Sequence, residues 1–102
     1  MKVYRGYRNP RGYARVTVND RELPLRLDLS NHSPTGFEWG YGGSGPAQLA
    51  LAILADYLDD AEALPLYQDF KRDVIAGLGD EWRITGGAID NWLALRRVRV
   101  PA

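Results

Sequence analysis

The chain has 102 residues, with 13 basic and 13 acidic side chains, one histidine and no cysteine. That length is a single domain, residues 1–102, large enough to bury a core without staples. Zero formal charge argues against a dominant polyanion footprint. The lack of cysteine excludes a disulfide framework and thiolate metal sites, and it suits the reducing cytoplasm where the protein is expected.

Charge is unevenly spread. Residues 1–30 carry seven basic and three acidic groups, residues 31–81 two and nine, and residues 82–102 four and one. Neighbouring blocks of opposite sign are expected to pair inside the fold, or to orient an oligomer whose state the sequence leaves open.

In chain order, Met1 leads at once into the strand pattern Val3-Tyr4-Arg5-Gly6-Tyr7 rather than a basic and apolar leader. No window reaches the apolar length of a membrane span, so no membrane association is expected. Period-2 alternation runs through Val3–Arg8, Tyr13–Val18 and Leu23–Leu29, with turn signals at Asn9-Pro10-Arg11-Gly12 and Asn19-Asp20. In the third stretch Leu23, Leu25, Leu27 and Leu29 share one side, and Pro24 suits an edge or a strand entrance. These stretches predict a three-stranded antiparallel meander with one apolar face.

Ser44-Gly45-Pro46 opens a helix, and Ala47–Leu58 is apolar almost all round, as a central helix would be. Asp59 or Asp60 caps a second helix expected to run to about Leu78, with Pro65 near its start and Gly77 and Gly79 at its end. Trp82-Arg83-Ile84 is a short extended link or a fourth strand. Thr85 caps a third helix with Ile89, Trp92 and Leu93 inward, and Val98–Pro101 is a last short strand or a tail. The fold class is α+β: a small antiparallel sheet packed against three C-terminal helices.

Between the third strand and the first helix lies Asn31–Pro46, which holds five of the eleven glycines, two of the six prolines, the only histidine and three aromatics. Sixteen residues without clear secondary structure is long for a compact domain. Phe37, Trp39 and Tyr41 alternate at strand spacing, so Gly36–Tyr41 reads as a short irregular strand, and the aromatics close the core or stack a planar ligand. Gly42-Gly43-Ser44-Gly45 leads into a helix N-terminus, which suits an anion, although no P-loop lysine follows and no dinucleotide fingerprint is present.

His32 is the one neutral-pH base, and beside Asn31 and Ser33 it serves as a local hydrogen-bonding residue or a ligand contact. Glu38 either pairs with an arginine of the basic hairpin or meets a cationic ligand group. His32, Ser33 and Glu38 contain the residue types of a hydrolase triad, but no nucleophile elbow accompanies them, so a small hydrolase is the weakest reading. No metal-ligand spacing occurs, and no cofactor is expected.

The string from His32 to Ala52, His-Ser-Pro-Thr-Gly-Phe-Glu-Trp-Gly-Tyr-Gly-Gly-Ser-Gly-Pro-Ala-Gln-Leu-Ala-Leu-Ala, resembles an uncharacterised family of small bacterial and phage or mobile-element proteins. Tyr4-Arg5-Gly6 and Tyr67-Gln68-Asp69-Phe70-Lys71 are similar to it as well. The resemblance implies a domain of unknown function, no catalytic role, and an accessory setting in which the protein sequesters a signal or blocks a defence protein.

The leading expectation is a non-enzymatic binding module for a small anionic or planar ligand, nucleotide-like, or for a protein partner. Its candidate residues are His32, Glu38, Trp39, Tyr41, Gly42, Gly43 and Ser44. The alternative is nucleic-acid binding through a basic aromatic sheet face with Arg5, Tyr7, Tyr13, Arg15 and Arg26, joined by Arg96, Arg97 and Arg99.

Overall fold

A computed structural model describes residues 1–99, and the side chains through Arg96. β1 (Val3–Arg8) and β2 (Ala14–Val18) form the first hairpin. Its turn is fixed by Asn9, whose Oδ1 accepts from the N–H of Arg11 and of Tyr13, both at 3.0 Å. Gly12 closes it at φ 84°, a left-handed conformation that glycine adopts without steric cost. The next turn is Asn19-Asp20, at φ 47° and 68°, the left-handed pair that matches the twist of a two-residue hairpin.

The third strand is much shorter than the alternation predicts. β3 is Arg21–Glu22 alone, and Leu23–Leu29 leaves the sheet. Pro24 has no N–H for a ladder, and Arg26 turns the chain at φ 59°. Leu23 is buried all the same, whereas Leu27 is exposed. β4 (Trp82–Thr85) supplies the fourth strand, antiparallel to β1, and the order across the sheet is β3-β2-β1-β4.

The inner face carries Tyr4, Gly6, Val16, Trp82 and Ile84 in register. Gly6 is required there, because a Cβ would lie 2.2 Å from the Trp82 indole. Helix α1 (Ser44–Tyr57) packs into this face as the central helix expected, with every residue from Gly45 to Ala55 buried. Each fully buried Leu or Ile on it contributes about 1.5–3 kcal/mol of transfer free energy. The Tyr4 hydroxyl donates to Asp56 Oδ2 at 2.7 Å and ties sheet to helix. Burial, and then that carboxylate, push the Tyr4 phenol up from its ordinary value.

The predicted second helix is broken into three pieces. α2 (Asp60–Ala63) is capped by Asp59, whose Oδ1 accepts from Glu62 N–H at 2.7 Å. α3 (Tyr67–Asp73) follows, and a 3₁₀ turn (Ile75–Gly77) completes the segment. Pro65 accounts for the first break, since a helix cannot carry it past its opening turn. α4 (Gly86–Arg99) starts where Thr85 Oγ1 accepts from Ala88 N–H at 3.1 Å. Val98 and Arg99 belong to this helix rather than to a strand or tail, and residues 100–101 of that reading lie outside the described residues.

The charge blocks pair across the fold as expected. Lys2 meets Asp56 at 2.9 Å, Arg26 meets Asp60 at 2.8 Å, and Arg96 meets Asp69 at 2.8 Å. No helix among the described residues is long and apolar enough to cross a membrane.

Candidate functional site

The Asn31–Pro46 loop is anchored by a residue outside it, Gln48, the one buried polar side chain among the described residues. Its Oε1 accepts from the N–H of His32 at 2.8 Å and of Ser33 at 3.1 Å. Its Nε2 donates to the carbonyls of Leu25 at 2.6 Å and Ser30 at 3.1 Å. All four hydrogen-bonding positions of the amide are therefore used, which is what an amide at zero exposure requires.

His32 Nε2 lies 2.8 Å from Tyr67 Oη and 3.2 Å from Ser30 Oγ. Ser33 Oγ donates to Gly36 O at 2.6 Å, away from the imidazole. Glu38 forms a two-point contact with Arg8, at 2.9 and 3.3 Å. His32, Ser33 and Glu38 thus each have a separate partner, and no triad is assembled. The Arg8 guanidinium also sits 4.7 Å over the Trp39 ring. Its hydrogen bond to Glu38 raises an already high pKa further.

Trp39 is a core residue, packed edge to face on Trp82 at 5.5 Å. Both indole N–H groups are buried with no partner among the described residues. Gly36–Tyr41 joins no sheet, because Gly40 N–H is spent on Ile75 O at 3.1 Å and Glu38 is turned to Arg8.

The helix N-terminus is a weaker anion cradle than the glycines suggest. Pro46 removes one donor, Gly45 is buried, and a Cβ on Gly45 would lie 2.6 Å from Glu38 Cβ. Glu38 already places a carboxylate-bearing side chain beside the positive end of α1. Of the loop candidates, only Tyr41, Gly42 and Ser44 remain exposed, and Gly43 lies beneath the Tyr41 ring.

The outer face of the sheet differs. Register places Arg5, Tyr7, Arg15, Thr17 and Arg83 on the side opposite the helices. Arg5 and Arg83 are direct cross-strand neighbours, and both are exposed. Two like charges so placed repel one another, and neither has a carboxylate partner among the described residues. A cleft of about 540 Å³ opens there, lined by Arg5, Gly6, Tyr7, Glu81, Trp82 and Arg83.

Tyr7 is 42% exposed and Tyr13 67%. Arg15 is held by Glu22. Arg26 is bound by Asp28 and Asp60, and Arg96 pairs with Asp69 and stacks on Trp92, so neither joins the sheet face. Arg97 and Arg99 lie in α4, beyond the described side chains.

A family of unknown function, DUF6166, matches residues 4–95. The chain belongs to that family. No curated protein matches the chain, and no solved structure does. The matched span runs from Tyr4 on β1 to Leu95 on α4, so it takes in the loop, Gln48 and the Arg5–Arg83 pair together.

Sequence reasoning missed Gln48 and Arg83; it foresaw a hairpin arginine as the partner of Glu38 without singling out Arg8. The signal for Gln48 was present: it is the one polar residue in the otherwise apolar run from Pro46 to Ala55. The alternation of β1 also placed Arg8 on the parity of Tyr4 and Gly6, where a charge needs a partner.

Proposed function

We propose that the protein is a non-enzymatic binding module that takes a phosphate-bearing, base-carrying ligand, a nucleotide or a single nucleic-acid strand, on the outer face of its sheet. The observation that carries this reading is the cross-strand pair Arg5–Arg83, without a carboxylate partner among the described residues, at the mouth of the cleft beside Tyr7. A phosphate between the guanidiniums relieves their repulsion and is held by forked donors. The exposed Tyr7 ring offers a stacking surface for a base, and Glu81 at the rim accepts from an amino group.

The same ligand chemistry was expected at the 31–46 loop. The sheet face is favoured because the loop's His32, Ser33 and Glu38 already have internal partners. A module of this kind suits the accessory role in bacteria or their mobile elements that the sequence resemblance implies, sequestering a signal or blocking a defence protein.

Fluorescence anisotropy tests the reading with a labelled 12-nucleotide single strand and with labelled adenosine monophosphate, each at 50 and 200 mM salt. Binding of either should weaken as salt rises. For the strand, the double variant Arg5→Ala, Arg83→Ala should flatten the logarithmic salt slope by about 0.7, the worth of the one phosphate held between the two guanidiniums. Absence of salt-sensitive binding to both probes would overturn it.

A further inference from the structure

A groove on the β3 side of the sheet is bounded by backbone that has no hydrogen-bond partner among the described residues. The β1–β2 pairing fixes which groups face it. Asn19 N–H donates to Val3 O, and Asn9 N–H to Tyr13 O, each at 2.9 Å. Stepping by two from either end makes Arg5–Thr17 and Tyr7–Arg15 the hydrogen-bonded pairs. Ala14, Val16 and Val18 therefore turn their N–H and C=O groups away from β1.

β3 reaches only Thr17 and Val18, and Leu23 N–H adds one bond to Val16 O at 3.1 Å. Beyond that point the chain diverges at Pro24. The N–H and C=O of Ala14 and the N–H of Val16 have no partner among the described residues. Across the groove, the backbone of Phe37 and Glu38 has none among them either.

Two clefts of about 450 and 490 Å³ separate these stretches, and both are lined by Ala14, Arg15, Gly36 and Phe37. Leu23 and Leu25 add apolar wall to the first. Unpaired backbone beside a residue as buried as Val16 is costly and uncommon in a finished fold. An exposed strand edge is also the usual template for an added strand.

We propose that this groove takes an extended, proline-free peptide segment of a partner protein by strand addition at Ala14, with apolar and acidic residues alternating along it. Pleating sets the alternation. A residue of the incoming strand opposite Ala14 lies on the core side, against Leu23, Leu25 and Phe37. The next residue lies on the outer side beside Arg15, whose present partner, Glu22, is exposed and exchangeable. Phe37 and Glu38 offer backbone groups on the far side of the same segment. This inference is independent of the sheet-face reading, since it uses the edge of the sheet rather than Arg5, Tyr7 and Arg83.

The test is amide hydrogen exchange by nuclear magnetic resonance on the whole chain, with three probes. They are the capped peptide Ser-Val-Glu-Val-Ser, the same peptide N-methylated at alternate amides, and a version with Lys in place of Glu. The first peptide should slow exchange at Ala14 and Val16 by about tenfold or more at millimolar concentration, as new ladder hydrogen bonds do. The Lys version should bind about tenfold more weakly, and the methylated one should give no protection, because methylation removes the donors and leaves the side chains. Unchanged exchange with the first peptide, or equal protection by the methylated one, would overturn the proposal. Protection of Ala14 that grows with protein concentration in the absence of peptide, together with a dimer mass by light scattering, would assign the groove to a second copy and overturn it as well.

Discussion

The 31–46 loop and the outer face of the sheet are built from similar residues, aromatic and charged, yet they stand opposite in partnership. In the loop, His32, Ser33 and Glu38 each have a partner within the fold, and Gln48 binds the backbone from below. On the sheet face, Arg5 and Arg83 sit side by side with no ion-pair partner among the described residues. Glycine content and odd composition pointed to the loop, but those features also describe a segment that must wind tightly over a core. Unsatisfied chemistry is the better marker of a surface that meets something else.

The largest test of this contrast is Gln48→Ala. It strands two carbonyls and two N–H groups in the core, and denaturant unfolding should show a loss of about 3 kcal/mol. A loss under about 1 kcal/mol would mean that the loop is held by something other than this amide.

Next in size is Gly6→Ala on the inner face. The new methyl meets the Trp82 indole, so overpacking should cost about 2 kcal/mol in the same measurement.

Tyr4→Phe should cost about 1 kcal/mol at neutral pH through the lost hydrogen bond to Asp56. It also has a pH signature. The folded phenol is raised above its unfolded value of about 10, so its contribution is fully present below pH about 10 and is lost as pH rises beyond it. The alkaline limb of a stability–pH curve above pH about 10 should therefore be shallower in the variant. An unchanged limb would show that the phenol is not the group responsible.

The smallest effect is the most diagnostic. Arg5→Ala and Arg83→Ala should each leave stability within about 0.5 kcal/mol of the parent, on the side of a gain, because each removes one member of a repelling pair. A clear loss in thermal unfolding would mean that these arginines serve the fold, and the contrast with the loop would disappear.

Much of the architecture is legible in the sequence. Asn9–Gly12 and Asn19-Asp20 marked both turns, the apolar run after Pro46 marked the central helix, and Thr85 marked the start of α4. These are local effects, in which side-chain oxygens, left-handed residues and helical periodicity act over a few positions. The third strand failed because Leu23–Leu29 alternates well but has a proline at its second position, and beyond the Leu23 bond to Val16 it pairs with no strand among the described residues. The second helix failed because a caps-and-periodicity reading tolerates Pro65, whereas the chain breaks there.

The sequence alone therefore determined the α+β class, the two hairpin turns, the central helix and the parity of residues along β1 and β2, since each depends on neighbours a few residues away. Tertiary structure decided the partners. It brought β4 beside β1 and so set Arg83 against Arg5, and it placed Gln48 beneath the loop. It also stopped β3 short and left the Ala14 edge without a partner among the described residues. Such pairings join residues dozens of positions apart, and no local pattern encodes which polar groups a fold will satisfy and which it will leave for a ligand.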